Sequence, residues 1–310
     1  MHRCYRFIGT LIIAVILSCC VMAPIANAAP IDTKQITVSD VFKLGVEKMW
    51  QGDYQGAIAE FTQAIQIKGN FASAYSNRCL AYLQLQDYQN AVSDCTQAIK
   101  ISPDNTEAYL NRGLAYSRQG NYQAAIADNN QVIAIHPQEF RAYYNRGVAN
   151  AYLGNHQQAT KDYNLALSYN QQIPNNLLAD IHNDRGLAYL ELAELETAIL
   201  AFNQAITLDG SNYRIYFNRG CAHAQTGNYW DAVNDFSQVV QLNPQNGDAY
   251  LNRGIAYHNL GYEQTAISDL HQAVAYFELQ GEKIAYEKTL NVIKSVQQQI
   301  PDKIAIAMAL

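Results

Sequence analysis

The triplet Asn-Arg-Gly returns along this chain at a fixed distance, and that period constrains the fold more than any other feature. Asn77-Arg78-Cys79, Asn111-Arg112-Gly113 and Asn145-Arg146-Gly147 follow one another at 34 residues. Asp184-Arg185-Gly186, Asn218-Arg219-Gly220 and Asn252-Arg253-Gly254 do the same. Between Gly147 and Gly186 the interval is 39, which places five extra residues at one point. Extending the phase back one period from Cys79 reaches Gly45. Seven units result, 38–71, 72–105, 106–139, 140–173, 179–212, 213–246 and 247–280, with an insertion at 174–178. A unit this short cannot bury its apolar face alone, so the chain must stack its units.

Each unit reads as two amphipathic helices with a turn between them, as at Gln119-Gly120-Asn121. Position 20 of the unit is alanine every time: Ala57, Ala91, Ala125, Ala159, Ala198, Ala232 and Ala266. Position 8 is glycine in six units and Cys79 in the second. Small residues at both places let two helix backbones approach closely. Tyrosine recurs at positions 4, 11 and 17, where large rings fill the space around that approach; this accounts for much of a content of 22 tyrosines.

An aromatic at 4, glycine at 8, tyrosine at 11, alanine at 20, an aromatic at 24 and proline at 32 resemble the tetratricopeptide repeat, and the likeness spans residues 38–280. It implies an all-α, right-handed superhelical solenoid of seven helix–turn–helix repeats. The first repeat departs from the pattern at Val41, Lys48 and Gly69, and the fifth at His182, Leu195 and Gly210. Asn129 stands where the third repeat should carry a ring. With Pro174–Leu178 inserted before the fifth repeat, a joint between blocks of four and three is expected there. Stacked repeats need capped ends. Residues 281–300 supply a cap, a helix with Ile284, Leu290, Ile293, Val296 and Ile300 on one face; residues 301–310 follow as an apolar tail that either docks on the last helices, the preferred reading, or is disordered.

The first 28 residues differ in kind. Arg3 and Arg6 precede the run FIGTLIIAVILSCCVMAPI, and Ala26-Asn27-Ala28 forms a small-residue cut site, the order of an export signal. Two alternatives stay open. The apolar run is near the ~20 residues that span a bilayer, and Ile16-Leu17-Ser18-Cys19 resembles a bacterial lipobox, so the chain is anchored through Cys19 on that reading. All three place the rest of the chain, after a linker at 29–37, outside the cytosol: a periplasm, an equivalent lumen or the exterior. Removal of residues 1–28 leaves 19 basic and 27 acidic side chains, a net charge near −8. With no basic run, a nucleic-acid groove has no electrostatic driving force.

No phosphate loop, HExxH, GxSxG or EF-hand pattern is present. Repeats and cap leave only residues 29–37 and 301–310, too little for a catalytic domain, so no catalysis, cofactor or metal is expected. His223 and His258, in adjacent repeats, lack a third ligand. Cys79 and Cys95 sit at positions 8 and 24 of one repeat; two small buried apolar side chains are the preferred reading over a disulfide. Arg78/Asp94, Arg112/Asp128, Arg146/Asp162, Arg219/Asp235 and Arg253/Asp269 recur at positions 7 and 23 as a structural ion pair.

The resemblance implies that positions 2, 5, 6, 9, 12 and 13 face a concave groove that holds a protein or peptide partner. Position 6 gives Asn77, Asn111, Asn145, Asn218 and Asn252, a ladder similar to that in the repeats of the O-linked N-acetylglucosamine transferase. Each amide offers a donor and an acceptor to an extended backbone; bonding to the neighbouring repeat is the competing role. Position 5 adds Leu110, Tyr144, Phe217 and Leu251 as an apolar row, and position 13 adds Trp50 and Tyr152. The carboxylate clamp of chaperone-binding relatives needs lysines at positions 2 and 5, and this chain has none there. The expectation is a non-catalytic interaction scaffold; a membrane-anchored envelope assembly factor is the alternative.

Overall fold

The computed structural model describes residues 37–169 and 173–307, with side chains through residue 298. The leader, Cys19, the cut after Ala28 and the docking of the apolar tail lie outside the described residues. What is described is all helix, with fifteen helices and no strand. They are α1 (Val38–Trp50), α2 (Tyr54–Ile67), α3 (Ala72–Gln84), α4 (Tyr88–Ile101), α5 (Thr106–Arg118), α6 (Tyr122–Ile135), α7 (Phe140–Tyr152) and α8 (His156–Ser168). Then come α9 (Asn175–Glu191), α10 (Leu195–Leu208), α11 (Tyr213–Gln225), α12 (Tyr229–Leu242), α13 (Gly247–Asn259), α14 (Glu263–Gln280) and α15 (Lys283–Ala307).

Two compact units divide the chain near residue 171. Within the N-terminal unit, α1 to α8 form four helical hairpins, each packed on the next. In the C-terminal unit α9 to α14 form three, with α15 against α14. Successive first helices, α1, α3, α5 and α7 in one unit and α9, α11 and α13 in the other, also touch one another. Successive second helices make no comparable contact, so the first helices form the inner layer of each stack.

Local chemistry sets the helix ends. Thr37 and Asp40 close a reciprocal capping box on α1, and Asp53, Asp87, Asn105, Asn121 and Asn246 each accept a backbone N–H at the start of their helix. Position 15 of the unit, after the first helix, needs the left-handed region. Gly52, Gly120, Gly154, Gly227 and Gly261 meet it with φ between 77° and 83°, while Gln86 and Ala193 hold φ 60°.

The core of each hairpin is one contact repeated. The seven alanines at position 20 are fully buried. Over each glycine at position 8 lies the side chain of position 24. A methyl group placed on Gly186 would come within 2.5 Å of Phe202, on Gly220 within 2.9 Å of Phe236, and on Gly147 within 2.8 Å of Tyr163. Only glycine admits the ring at that distance.

Two expectations are corrected, and the insertion takes a helical form. Cys79 and Cys95 are joined by a disulfide, with Cα atoms 5.5 Å apart, instead of lying as separate thiols. Positions 8 and 24 are already the closest approach of the two helices, which brings the sulfurs together. The inserted residues 175–178 form no loop: they lengthen α9 to 17 residues, against 13 in the other first helices, with Pro174 just before the first turn. Finally, the capping helix passes Pro301 to Ala307, and Ile284 leaves the apolar face, standing 71% exposed while Ile293 and Val296 are buried.

Candidate functional site

The resemblance puts positions 2, 5, 6, 9, 12 and 13 of the first helices on the inner face of each stack. Position 5 does not belong to its surface. Leu110, Tyr144, Phe217 and Leu251 are 4%, 5%, 0% and 6% exposed. Phe217 meets the Phe236 ring edge-on at 5.6 Å, and Tyr144 approaches Tyr163 at 6.0 Å. The apolar row expected to greet a partner lies inside the hairpins, because position 5 is three residues before position 8, one turn away on the face that meets the second helix.

Position 6 splits between the units. Asn77, Asn111 and Asn145 in the N-terminal unit are half-buried. Asn77 Nδ2 donates to the Ser73 carbonyl at 2.8 Å, and among the described residues Asn111 and Asn145 make no side-chain hydrogen bond. In the C-terminal unit Asn218 and Asn252 are buried. Asn218 Nδ2 donates to Asn183 Oδ1 of the preceding repeat at 2.9 Å, the bonding between repeats that competes with a ladder. Asn252 Nδ2 donates to the Asp248 carbonyl at 2.8 Å. Thus Asn111 and Asn145 make no side-chain hydrogen bond among the described residues, Asn77 and Asn252 bond a carbonyl four residues back on their own helix, and Asn218 bonds the preceding repeat.

Aromatic groups at position 13 do reach solvent: Trp50 and Tyr152 are both exposed, and Tyr152 stacks on Tyr122 with centroids 4.8 Å apart. Leu83, Gln84, Gln86, Tyr88, Leu114 and Arg118 line a shallow depression of about 180 Å³.

Position 2 carries a charge pattern missed in the sequence. Arg141 of α7 reaches back one repeat to Glu107 of α5 at 2.6 Å and also holds Glu139 at 2.8 Å. Asp180 of α9 is 34 residues before Arg214 of α11, the same interval. Burial first, then repulsion from Asp184, raises the Asp180 carboxyl to about 6 against the pull of Arg214. One repeat further, burial first and then repulsion from Glu282 raise the Asp248 carboxyl to about 6 as well. Opposite charges one period apart were the available signal.

The expected ion pair is present in all five repeats that carry both residues. Arg78, Arg112, Arg146, Arg219 and Arg253 each grip Asp94, Asp128, Asp162, Asp235 or Asp269 through Nε and Nη2 at 2.6 to 3.0 Å. The remaining Nη1 donates to position 25 of the preceding repeat: Thr62, Thr96, Asn130, Asn203 or Ser237. Each guanidinium also lies over the tyrosine at position 4, 5.3 to 5.8 Å from its centroid. These groups tie repeats together and offer nothing to solvent chemistry.

His258 Nδ1 lies 2.6 Å from Glu263, and His223 lies 3.9 Å from Asp235, each within its own repeat. Among the described residues no three His, Cys, Asp or Glu groups converge to hold a metal ion. No described helix is long and apolar enough to cross a membrane.

Sequence profiles described as TPR repeat match residues 49–86, 80–120, 186–227 and 220–261, and profiles described as tetratricopeptide repeat match 106–139, 140–173 and 247–279. No curated protein matches the chain by sequence. Among solved structures, a tetratricopeptide repeat protein of Parabacteroides merdae ATCC 43184 is similar with TM-score 0.61 and 18% identity, over 82% of this chain and 98% of that one. Pseudomonas aeruginosa pilF gives TM-score 0.61 at 17% identity, over 71% and 96%. YrrB, titled a TPR protein with an unusual peptide-binding site, gives 0.54 at 20%, over 64% and 97%. These likenesses share the hairpin stack described above, and with the profile matches along most of its length the chain belongs to the tetratricopeptide repeat family.

Proposed function

We propose that the chain is a non-catalytic scaffold that holds a segment of a partner protein on the inner, first-helix face. Proteins of this repeat family are protein–protein interaction scaffolds. The observation that carries the finer reading is the row Asn77, Asn111 and Asn145, half-buried on neighbouring first helices, with two of the three amides making no side-chain hydrogen bond among the described residues. At one amide per repeat, the row suits the backbone of an extended segment. Exposed Trp50 at the end of α1 and Tyr152 at the end of α7 add anchoring area on first helices of the same unit. YrrB, with its titled peptide-binding site, lends support from a similar fold.

Export belongs to the same proposal. Arg3, Arg6, the apolar run and Ala26-Asn27-Ala28 read as a leader, and a buried Cys79–Cys95 disulfide suits an oxidising compartment. Intact-mass measurement of the chain from its source tests this: cleavage after Ala28 is expected, and a diacylglyceryl mass on Cys19 marks the anchored alternative. For the binding face, full chain used as bait should retain its principal partner. Replacing Asn77, Asn111 and Asn145 together with alanine should abolish retention while the far-ultraviolet helical signal persists. Undiminished retention by that variant contradicts the ladder.

A further inference from the structure

Two surface positions of the repeat depart from their usual chemistry, and the two departures meet. Position 18, at the start of the second helix, is exposed in all seven repeats. It is Gln55, Gln89, Gln123, Gln157, Glu196 and Gln264 in six of them and Trp230 in the sixth repeat. Position 16, just before that helix, is Asp53, Asp87, Asn121, Asn155, Glu194 and Asn228, and then Tyr262 in the seventh repeat. Trp230 and Tyr262 are 51% and 48% exposed, with ring centroids 5.3 Å apart and planes at 67°. Tyr257, packed on the buried cluster around Phe217 and Phe236, meets Tyr262 edge-on at 6.3 Å. Asp53, Asp87 and Asn121 cap their helices from position 16, a role closed to a phenol, and α14 has no side-chain cap. Helices α8, α10 and α12 lack one as well, but their position 16 stays polar. Rings this exposed gain little from burial, and as a pair they mark a contact surface.

The chain itself shows what such a surface suits. In five repeats a guanidinium lies over a tyrosine ring at 5.3 to 5.8 Å while an aspartate grips it. Ring and carboxylate also stand together here. Asp231, 59% exposed, follows Trp230 in the first turn of α12, and Glu263 follows Tyr262 at the start of α14. His258 Nδ1 lies 2.6 Å from Glu263, and His223 Nδ1 lies 4.0 Å from Asp231. Residues 213–280 hold six carboxylates, three arginines and no lysine. Arg219 and Arg253 are committed to Asp235 and Asp269, and Arg214 sits at the opposite end of α11 from the turn that leads to Trp230. Neither repeat therefore supplies a cation to this surface. The wider unit is acidic too: residues 173–310 carry 8 basic and 15 acidic side chains, against 10 and 11 over 37–172.

We propose that Trp230 and Tyr262 bind an arginine side chain of a partner protein, its guanidinium over an open ring face and within reach of the Asp231 carboxylate. A planar cation stacks on a ring, and the carboxylate adds a charge-assisted bond. This repeats at the surface the combination that holds arginine at position 7 inside the stack. The residues belong to second helices and the turn before them, not to the first-helix asparagines, so the site goes beyond the inner-face reading and does not rest on it.

The chain has two tryptophans, so Trp50 serves as an internal control for Trp230. The full chain, labelled with nitrogen-15, is titrated with a short capped peptide carrying one arginine between glycine and serine, and with the same peptide carrying neutral citrulline instead. Loss of one indole N–H resonance in Trp50→Phe assigns the pair. With the arginine peptide the Trp230 resonance should move and saturate while that of Trp50 stays, and citrulline should move neither. Tyr262→Asn restores the residue type of the third, fourth and sixth repeats at position 16 and keeps the reporter. It and Asp231→Asn should each weaken the arginine peptide about fivefold, the scale of one exposed cation–aromatic contact, with an unchanged far-ultraviolet helical signal. No movement of Trp230, an equal response to citrulline, equal movement of Trp50, or full affinity in both variants overturns the proposal.

Discussion

At the scale of single residues, the repeat is informative because every exception has six comparators. Asn129 occupies position 24, where the other repeats place Phe61, Cys95, Tyr163, Phe202, Phe236 and Leu270. It is fully buried, its Nδ2 bonds the Ala125 carbonyl, and its Oδ1 has no partner. Asn129→Leu, copying Leu270, should raise stability by about 1 to 3 kcal/mol, the cost of an unmatched buried acceptor. Urea denaturation checks this, and a lower midpoint would show that the amide stabilises the third repeat. Asp248 gives a pH prediction. Its carboxyl titrates at about 6 in the fold and near 4 when unfolded, so the folded chain binds the proton more tightly. Stability is fully present below the unfolded value, falls as pH rises through this window, and is level above it. Asp248→Asn should therefore be more stable than the parent by about 1 to 2 kcal/mol at pH 8, discounted for partial exposure, and nearly equal to it at pH 4. A gain that is the same at both pH values contradicts the assignment.

At the scale of the helix pair, the second repeat solves the common packing problem with different chemistry. Elsewhere a ring lies on a glycine; here Cys79 and Cys95, both fully buried, are joined by a covalent bond between the same two positions, 16 residues apart. Closing such a loop stabilises by about 3 kcal/mol. A reductant should therefore lower the urea midpoint of the N-terminal hairpins, with no effect on a Cys79→Ala, Cys95→Ala variant. Cys79→Gly with Cys95→Phe, which restores the glycine–ring contact of the other repeats, should recover most of the loss without any thiol. Identical parent midpoints with and without reductant contradict the bridge. The close approach at positions 8 and 20, the division of each unit into two helices and the Arg–Asp pairs were legible in the sequence because they recur at one spacing and obey one geometry. Less was legible where equal spacing permits two orientations. Leu110, Tyr144, Phe217 and Leu251 share a helical face with the asparagines, and only the second helix, packed against them, decides that they are core. Asn218 and Asn252 have the same letter and register as Asn111, but both are buried, and Asn218 bonds the preceding repeat. The insertion gave no signal of its own, since added residues make a loop or an extra turn with equal ease until Pro174 is seen to start one.

At the scale of the whole molecule, two units built from one repeat present different inner faces. The N-terminal face is close to neutral, with amides and exposed rings; the C-terminal face is acidic. Neither feature calls for turnover. Position 7, the most regular polar site in the chain, is consumed in joining repeats, which explains why its conspicuous arginines are poor candidates for recognition. What distinguishes this account from a partner bound to the outer helices is which side chains become covered. Hydroxyl-radical footprinting of the full chain with and without its retained partner reads that directly. Protection is predicted at Trp50 and Tyr152, exposed on first helices, with Ile101 and Leu165, exposed on second helices, unchanged. Protection confined to Ile101 and Leu165, with Trp50 and Tyr152 still oxidised at the free rate, would contradict it.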